Sequence, residues 1–194
     1  MRKGTFIGAF LALFLGASFC VAQQQSSSQT MPTGKSFIKK AAEINLGEIE
    51  LGKLAEQKAN NPAVKDFGKR MVEDHTKAQN ELQPLAKQEG VALPTQPGPT
   101  TTALDQKLSS ASGAQFDQMY IDHMLSGHKG AIDTFENEIE NGNNSAIKSY
   151  AEKVLPVIQD HVRIAEDVDG KMGQAGKQGL DDEYKAITAS ASAE

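Results

Sequence analysis

Asn60–Val72 reads NNPAVKDFGKRMV, and Asn143–Leu155 reads NNSAIKSYAEKVL. Set one under the other, they pair Val64 with Ile147, Lys65 with Lys148, Phe67 with Tyr150 and Arg70 with Lys153. In both copies an Asn-rich turn opens onto apolar residues spaced three and four apart, the period of a helix. A unit that occurs twice predicts two related helical hairpins. Two hairpins that bury one face against each other make an all-α four-helix bundle with pseudo-twofold symmetry.

Outward from the repeat, four stripes carry the helical period. The first holds Phe37, Ala41, Ile44, Leu51 and Ala55; the second Val64, Phe67, Met71, Ala78, Leu82 and Leu85. The third holds Ile121, Leu125, Ile132, Phe135 and Ile139; the fourth Ile147, Ala151, Val154, Ile158, Ala165 and Val168. Pro62 suits a first helical turn, where its missing N–H costs nothing. Gly90 and the Pro-rich run Val91–Thr101 break the chain after the second helix. These signals predict helices over 35–59, 62–89, 114–141 and 145–169, within a bundle domain of 35–170. The linker 90–113 holds a weaker helical segment at Ala103–Ser110. About twenty linker residues at ~3.3 Å each can run along a bundle of ~40 Å, so crossover and simple up-down connectivity both remain open.

The ends read differently. MRKGTFIGAFLALFLGASFCVA begins with two basic residues, continues as an apolar run and ends with Cys20-Val21-Ala22 before Gln23. That pattern predicts a cleaved signal peptide (1–22) and a periplasmic or extracellular location; the run is short for a spanning helix. Lipidation at Cys20 is the competing reading, weakened because Phe19 stands where a small residue is needed. Residues 23–34 are a polar spacer, and 171–194 read as a disordered tail with at most a short helix near Leu180–Ile187. Cleavage would leave no cysteine and would take the formal charge from -5 to -7, since Arg2 and Lys3 leave with the leader. An acidic chain without a Lys/Arg cluster is a poor ligand for nucleic acid, the mature part has no transmembrane segment, and any partner is expected in the envelope.

Each stripe has one polar gap. Glu48 lies between Ile44 and Leu51, His75 between Met71 and Ala78, His128 between Leu125 and Ile132, and His161 between Ile158 and Ala165. Counted from the turns, Glu48 is 12 residues before Asn60 and His75 is 15 after it; His128 is 15 before Asn143 and His161 is 18 after it. Each hairpin therefore sets its pair at matched height, with Glu48 corresponding to His128 and His75 to His161. His123 is turned about 140° from His128 and belongs on a flank. Imidazole and carboxylate on facing helices suit one transition-metal ion: Zn, Cu, Ni or Fe. The alternative is a metal-free core network that fixes helix register in a structural or interaction module. In Asp74-His75, Asp122-His123 and Asp160-His161, each Asp points ~100° from its own His and could serve only a histidine on another helix. No nucleophile–base pair, phosphate loop or HExxH is present, so no catalytic residue is assigned; a non-catalytic role is favoured and enzymatic activity is left open.

FIKKAAEINLGEIELGKLAEQKANNPAVKDFGKRMVEDHTKAQNEL, SGHKGAIDTFENEIENG and LPVIQDHVRIAEDV together resemble the exported bacterial family called domain of unknown function 4142. The resemblance covers about residues 36–169. It implies a ferritin-like four-helix bundle in the cell envelope and brings no activity with it. Ferritin-like di-iron proteins place Glu-x-x-His on two helices; here Val72 and Ile158 stand three before His75 and His161. A carboxylate-bridged di-iron centre is therefore not expected. A metal-dependent oxidoreductase in stress protection is the third reading, with no substrate specified by any residue.

Overall fold

The computed structural model describes residues 34–191, with the backbone alone for 99, 100 and 175–191. The expected signal peptide, and the spacer up to residue 33, lie outside the described residues. Five helices follow in order: α1 Gly34–Lys58, α2 Pro62–Gln88, α3 Pro99–Ser110, α4 Gly113–Asn141 and α5 Ser145–Ala191, with no strand among the described residues.

The repeated turns are capped alike. Asn61 Oδ1 accepts the Ala63 N–H at 2.9 Å. Asn144 Oδ1 accepts those of Ala146 at 3.0 Å and Ile147 at 3.2 Å. These are aligned residues of the repeat, and each satisfies backbone donors that the first turn of its helix leaves free.

α1 packs chiefly on α2 and α4 on α5, while α2 meets α5 and α1 meets α4, so the four long helices close a ring. Two hydrogen-bond sets fix the connectivity. Asp117, near the start of α4, accepts the backbone N–H groups of Asn60 and Asn61 at the α1/α2 turn. Asn144, at the α4/α5 turn, donates to Glu89 just past the end of α2. α4 therefore begins at the end of the bundle where α2 begins, and the connection between them runs its length. The fold is the crossover, ferritin-like form rather than simple up-down. α3 rides on that connection and lies over α1 and α4.

α1 and α2 approach through glycine. A methyl group on Gly68 would stand 2.7 Å from Ala55 Cβ and 2.9 Å from the Gly52 carbonyl oxygen. The core forms two apolar clusters. One gathers Phe37, Leu82, Phe135 and Ile158; the other Phe67, Met71, Tyr120 and Ile121. His75 falls between Met71 of the second cluster and Ala78 of the first. His128 likewise separates Met124 from Ala131, and His161 separates Ala165 from Ile158. The histidines thus form a polar layer across the middle of the bundle.

Two expectations need correction. α5 continues to Ala191, so residues 171–191 are helical where a disordered tail was expected. Val168 is buried and Met172 packs against the second cluster, which carries the helix past Asp169. Gly170 and Gly173 keep ordinary negative φ in open space, so they weaken the helix without ending it. On α4, Leu125, Ile132 and Ile139 are only partly buried, while Met124, Ala131 and Glu138 take the core. Both rows are spaced by seven and differ by one residue, about 100° around the helix, so spacing alone does not choose between them; the row that faces the core is Tyr120, Met124, His128, Ala131, Phe135 and Glu138.

Candidate metal centre

His75, His128 and His161 come from α2, α4 and α5, and one ligating atom of each lies within 4.8 Å of the others. They are 3, 2 and 0% exposed. Ring centroids are 5.7 Å apart for His75 and His128, 5.3 Å for His75 and His161, and 5.2 Å for His128 and His161. Glu48 is equally buried, at 7% exposed, but does not belong to the group that meets at 4.8 Å. It sits against the turn of α4 that carries Gly127, and its Oε2 has no hydrogen-bond partner. The structure thus brings together three of the four residues singled out in the sequence.

The outer nitrogens of the rings are all engaged. His128 Nδ1 lies 2.9 Å from the Met124 carbonyl oxygen, which can only accept, so this nitrogen carries the proton. His161 Nε2 lies 2.9 Å from Asp74 Oδ2 on the neighbouring α2, and it too must donate. His75 Nδ1 lies 3.0 Å from Asn45 Oδ1. The Asn45 amide is oriented by donating its Nδ2 hydrogens toward Gln79 Oε1 at 3.2 Å and Tyr150 Oη at 3.4 Å, and Tyr150 in turn donates to the Ala78 carbonyl. Asn45 therefore presents its oxygen to His75. In a neutral ring the proton on one nitrogen leaves a lone pair on the other. The lone pairs thus fall on His75 Nε2, His128 Nε2 and His161 Nδ1.

Those inner nitrogens face one another. His128 Nε2 and His161 Nδ1 are 3.2 Å apart, and His75 Nε2 has no partner. Burial keeps the rings neutral. It pushes the His128 pKa down to about 3, helped by the nearby His161 and opposed by the Met124 carbonyl. Burial also lowers His75 well below the usual value, helped by its two neighbouring histidines. For His161 burial again dominates and lowers the pKa, with the Asp74 hydrogen bond opposing it. Glu48 is pushed up to about 8 by burial, so it holds its proton at neutral pH.

Asp74 is itself held from outside. Arg70 donates to Asp74 at 3.2 Å and to Asp160 of α5 at 2.9 Å, and Arg163 donates to Asp160. An Asp beside one histidine thus serves the histidine of an adjacent helix, as the dipeptide geometry allows. Asn45, Gln79 and Tyr150 were not singled out in the sequence. Asn45 and Gln79 sit one helical turn from Glu48 and His75 on the same buried faces, a spacing that could have marked them. Tyr150 differs from its repeat partner Phe67 by the hydroxyl that the network uses.

The matching family model is described as Domain of unknown function (DUF4142) and covers residues 20–168. The chain belongs to that family. No curated protein matches it. Among solved structures it is similar to the "Crystal structure of putative secreted protein DUF305 from Streptomyces coelicolor", at 13% identity and a TM-score of 0.63, over 73% of this chain and 94% of that one. It is also similar to the "Crystal structure of DUF305 fragment from Deinococcus radiodurans", at 12% identity and a TM-score of 0.63, over 74% of this chain and 97% of that one. At such identity the likeness speaks for the helical fold alone.

Proposed function

We propose that this member of the family is an exported envelope protein that binds a single transition-metal ion through His75, His128 and His161. One observation carries the reading. Three buried imidazoles each have their outer nitrogen tied to an acceptor, which turns three lone pairs toward one another. Lone pairs at 3.2 Å repel unless a cation lies between them. Two metal–nitrogen bonds of ~2.0–2.1 Å at a tetrahedral angle place their nitrogens about 3.3–3.4 Å apart. The contact between His128 and His161 already has that span, and the third ring needs only a modest closing motion. Outer hydrogen bonds that fix tautomer and ring orientation are the usual support of histidine ligands.

Three imidazoles suit Zn, Cu, Ni or Fe(II), and leave a fourth position for water or an added ligand. Export rests on the signal-like leader. No helix among the described residues is long and apolar enough to cross a membrane. A partner, if any, is one of the envelope.

The same hydrogen bonds favour one competitor. A proton in place of the metal would make His161 an imidazolium held between Asp74 and His128, and the cluster would be a metal-free core network. Metal analysis of protein purified without a histidine tag separates the two. One equivalent of metal, lost in His75→Ala and in His128→Ala, supports the metal site. Metal-free protein that takes up none on titration, and whose stability falls in those variants, supports the network.

A further inference from the structure

Two openings between helices border side chains around the three histidines. A small one of about 110 Å³ lies between α2 and α5, beside Asp74, and is flanked by Lys77 and Lys153. Arg70 also sits on Asp74. Glu81 lines the same opening and pairs with Lys153 at 2.8 Å, so the charges there largely cancel, and Asp74, the carboxylate beside the cluster, is already engaged by His161 and Arg70.

The other is a groove of about 500 Å³ where α3 lies over α1 and α4. Glu48 and His123 line it, with Glu43 nearer the rim beside a single lysine, Lys40. Its floor is open because α4 has Gly127 there. A methyl group on Gly127 would stand 3.6 Å from His123 Nε2 and 4.0 Å from Glu48 Oε1, so the imidazole and the carboxyl flank the same glycine. His128 is the next residue. Glu48 Oε2 is buried without a partner, and His123 is half-buried with one face on the groove. A carboxylate and an imidazole bordering one cavity are a usable, incomplete ligand pair for a divalent transition cation. Two protein ligands hold such an ion more weakly than three, so an ion there can pass on.

We propose that this groove is the port through which a divalent transition-metal ion reaches the three imidazoles, with Glu48 and His123 as its outer, transient ligands. The proposal rests on the metal-binding reading above and explains why Glu48 lies beside the histidine cluster rather than in it. The ion exchanges hydration water for the Glu48 carboxylate and His123 imidazole, the Glu48 proton leaves to solvent through the groove, and the ion then moves past Gly127 to His128.

Loading of Co(II) into metal-stripped full-length protein, followed by stopped-flow visible absorbance, tests it. His123→Ala and Gly127→Leu are expected to slow loading at least fivefold, with the same final spectrum and one equivalent bound. Gly127→Ala, whose added methyl makes only ordinary contacts, is expected to load like wild type. If His75→Ala abolishes binding while His123→Ala and Gly127→Leu load at the wild-type rate, the three-histidine site stands and the port is wrong. If wild-type protein binds no Co(II), the site reading fails and the port with it.

Discussion

Asp74 does more for the candidate centre than its half-exposed position implies, because it decides which nitrogen of His161 carries a proton. Its Oδ2 accepts from Nε2 at 2.9 Å, so Nδ1 is left to face His128. Asp74→Asn keeps the shape but offers an amide that can turn its NH₂ toward the ring and reverse the tautomer. We expect Asp74→Asn and Asp74→Ala to weaken metal binding about 10–100-fold, with stoichiometry unchanged at saturating metal. Competition against a chelator of known affinity measures this; wild-type affinity in both variants would sink it. Asp74 was legible in the sequence because neighbours on a helix point apart, so an Asp beside a His must serve another helix. Asn45 was not. On a stripe of apolar residues an Asn reads as an interruption, and only the fold shows Gln79 and Tyr150 turning its oxygen toward His75. Likewise, equal burial of Glu48 and the histidines was readable from spacing. That the carboxyl stands aside, against the turn of α4 at Gly127, is set by how the helices pack, which spacing does not resolve.

At the scale of elements, two glycines with opposite surroundings make a paired test. Gly68 of α2 lies against Gly52 and Ala55 of α1, and any side chain there drives the helices apart. Gly130 of α4 has nothing within 4 Å of where a Cβ would stand. Gly68→Ala gains about 1 kcal/mol of helix propensity but incurs about 1–3 kcal/mol of overpacking. The expected net effect is a loss on the order of 1–2 kcal/mol in urea unfolding. Gly130→Ala meets no obstacle and should gain about 0.5–1 kcal/mol. Equal effects of the two substitutions would mean that the α1–α2 approach is looser than described. The helix starts were legible from Asn61-Pro62 and Asn144-Ser145 because capping is local chemistry. The end of α5 was not, since Gly170 and Gly173 and the lack of an apolar stripe read as a place to stop, whereas the contact of Met172 with the second core cluster, which carries the helix past Gly170, is tertiary.

At the scale of the molecule, the polar layer makes the stability of the metal-free fold depend on pH from two sides. The histidines have lowered pKa values in the fold, so the unfolded chain binds more protons once the pH falls below about 6.5. Their contribution is present above that value and is lost on acidification toward the folded pKa of His128, about 3. Glu48 acts oppositely. Its pKa rises from 4.5 to about 8, so the unfolded chain releases this proton first. Stability is undiminished below 4.5 and falls as the pH rises to about 8. From pH 4.5 to 6.5 several histidines outweigh one carboxyl, and stability should climb with pH. From pH 6.5 to 8 only Glu48 is still being penalised, and stability should decline. Chemical denaturation with a chelator present, repeated across pH 5 to 8.5, should therefore give a maximum near neutrality. Glu48→Gln removes the descending arm: it should stabilise the protein by on the order of 3 kcal/mol at pH 7, and leave the acid arm in place. A descending arm of unchanged slope in Glu48→Gln would assign it to another group. A flat acid arm in wild type would mean that the buried rings accept protons, as the metal-free network requires of His161. The same titration thus tests which cation, a proton or a metal ion, the three inward lone pairs are built to hold.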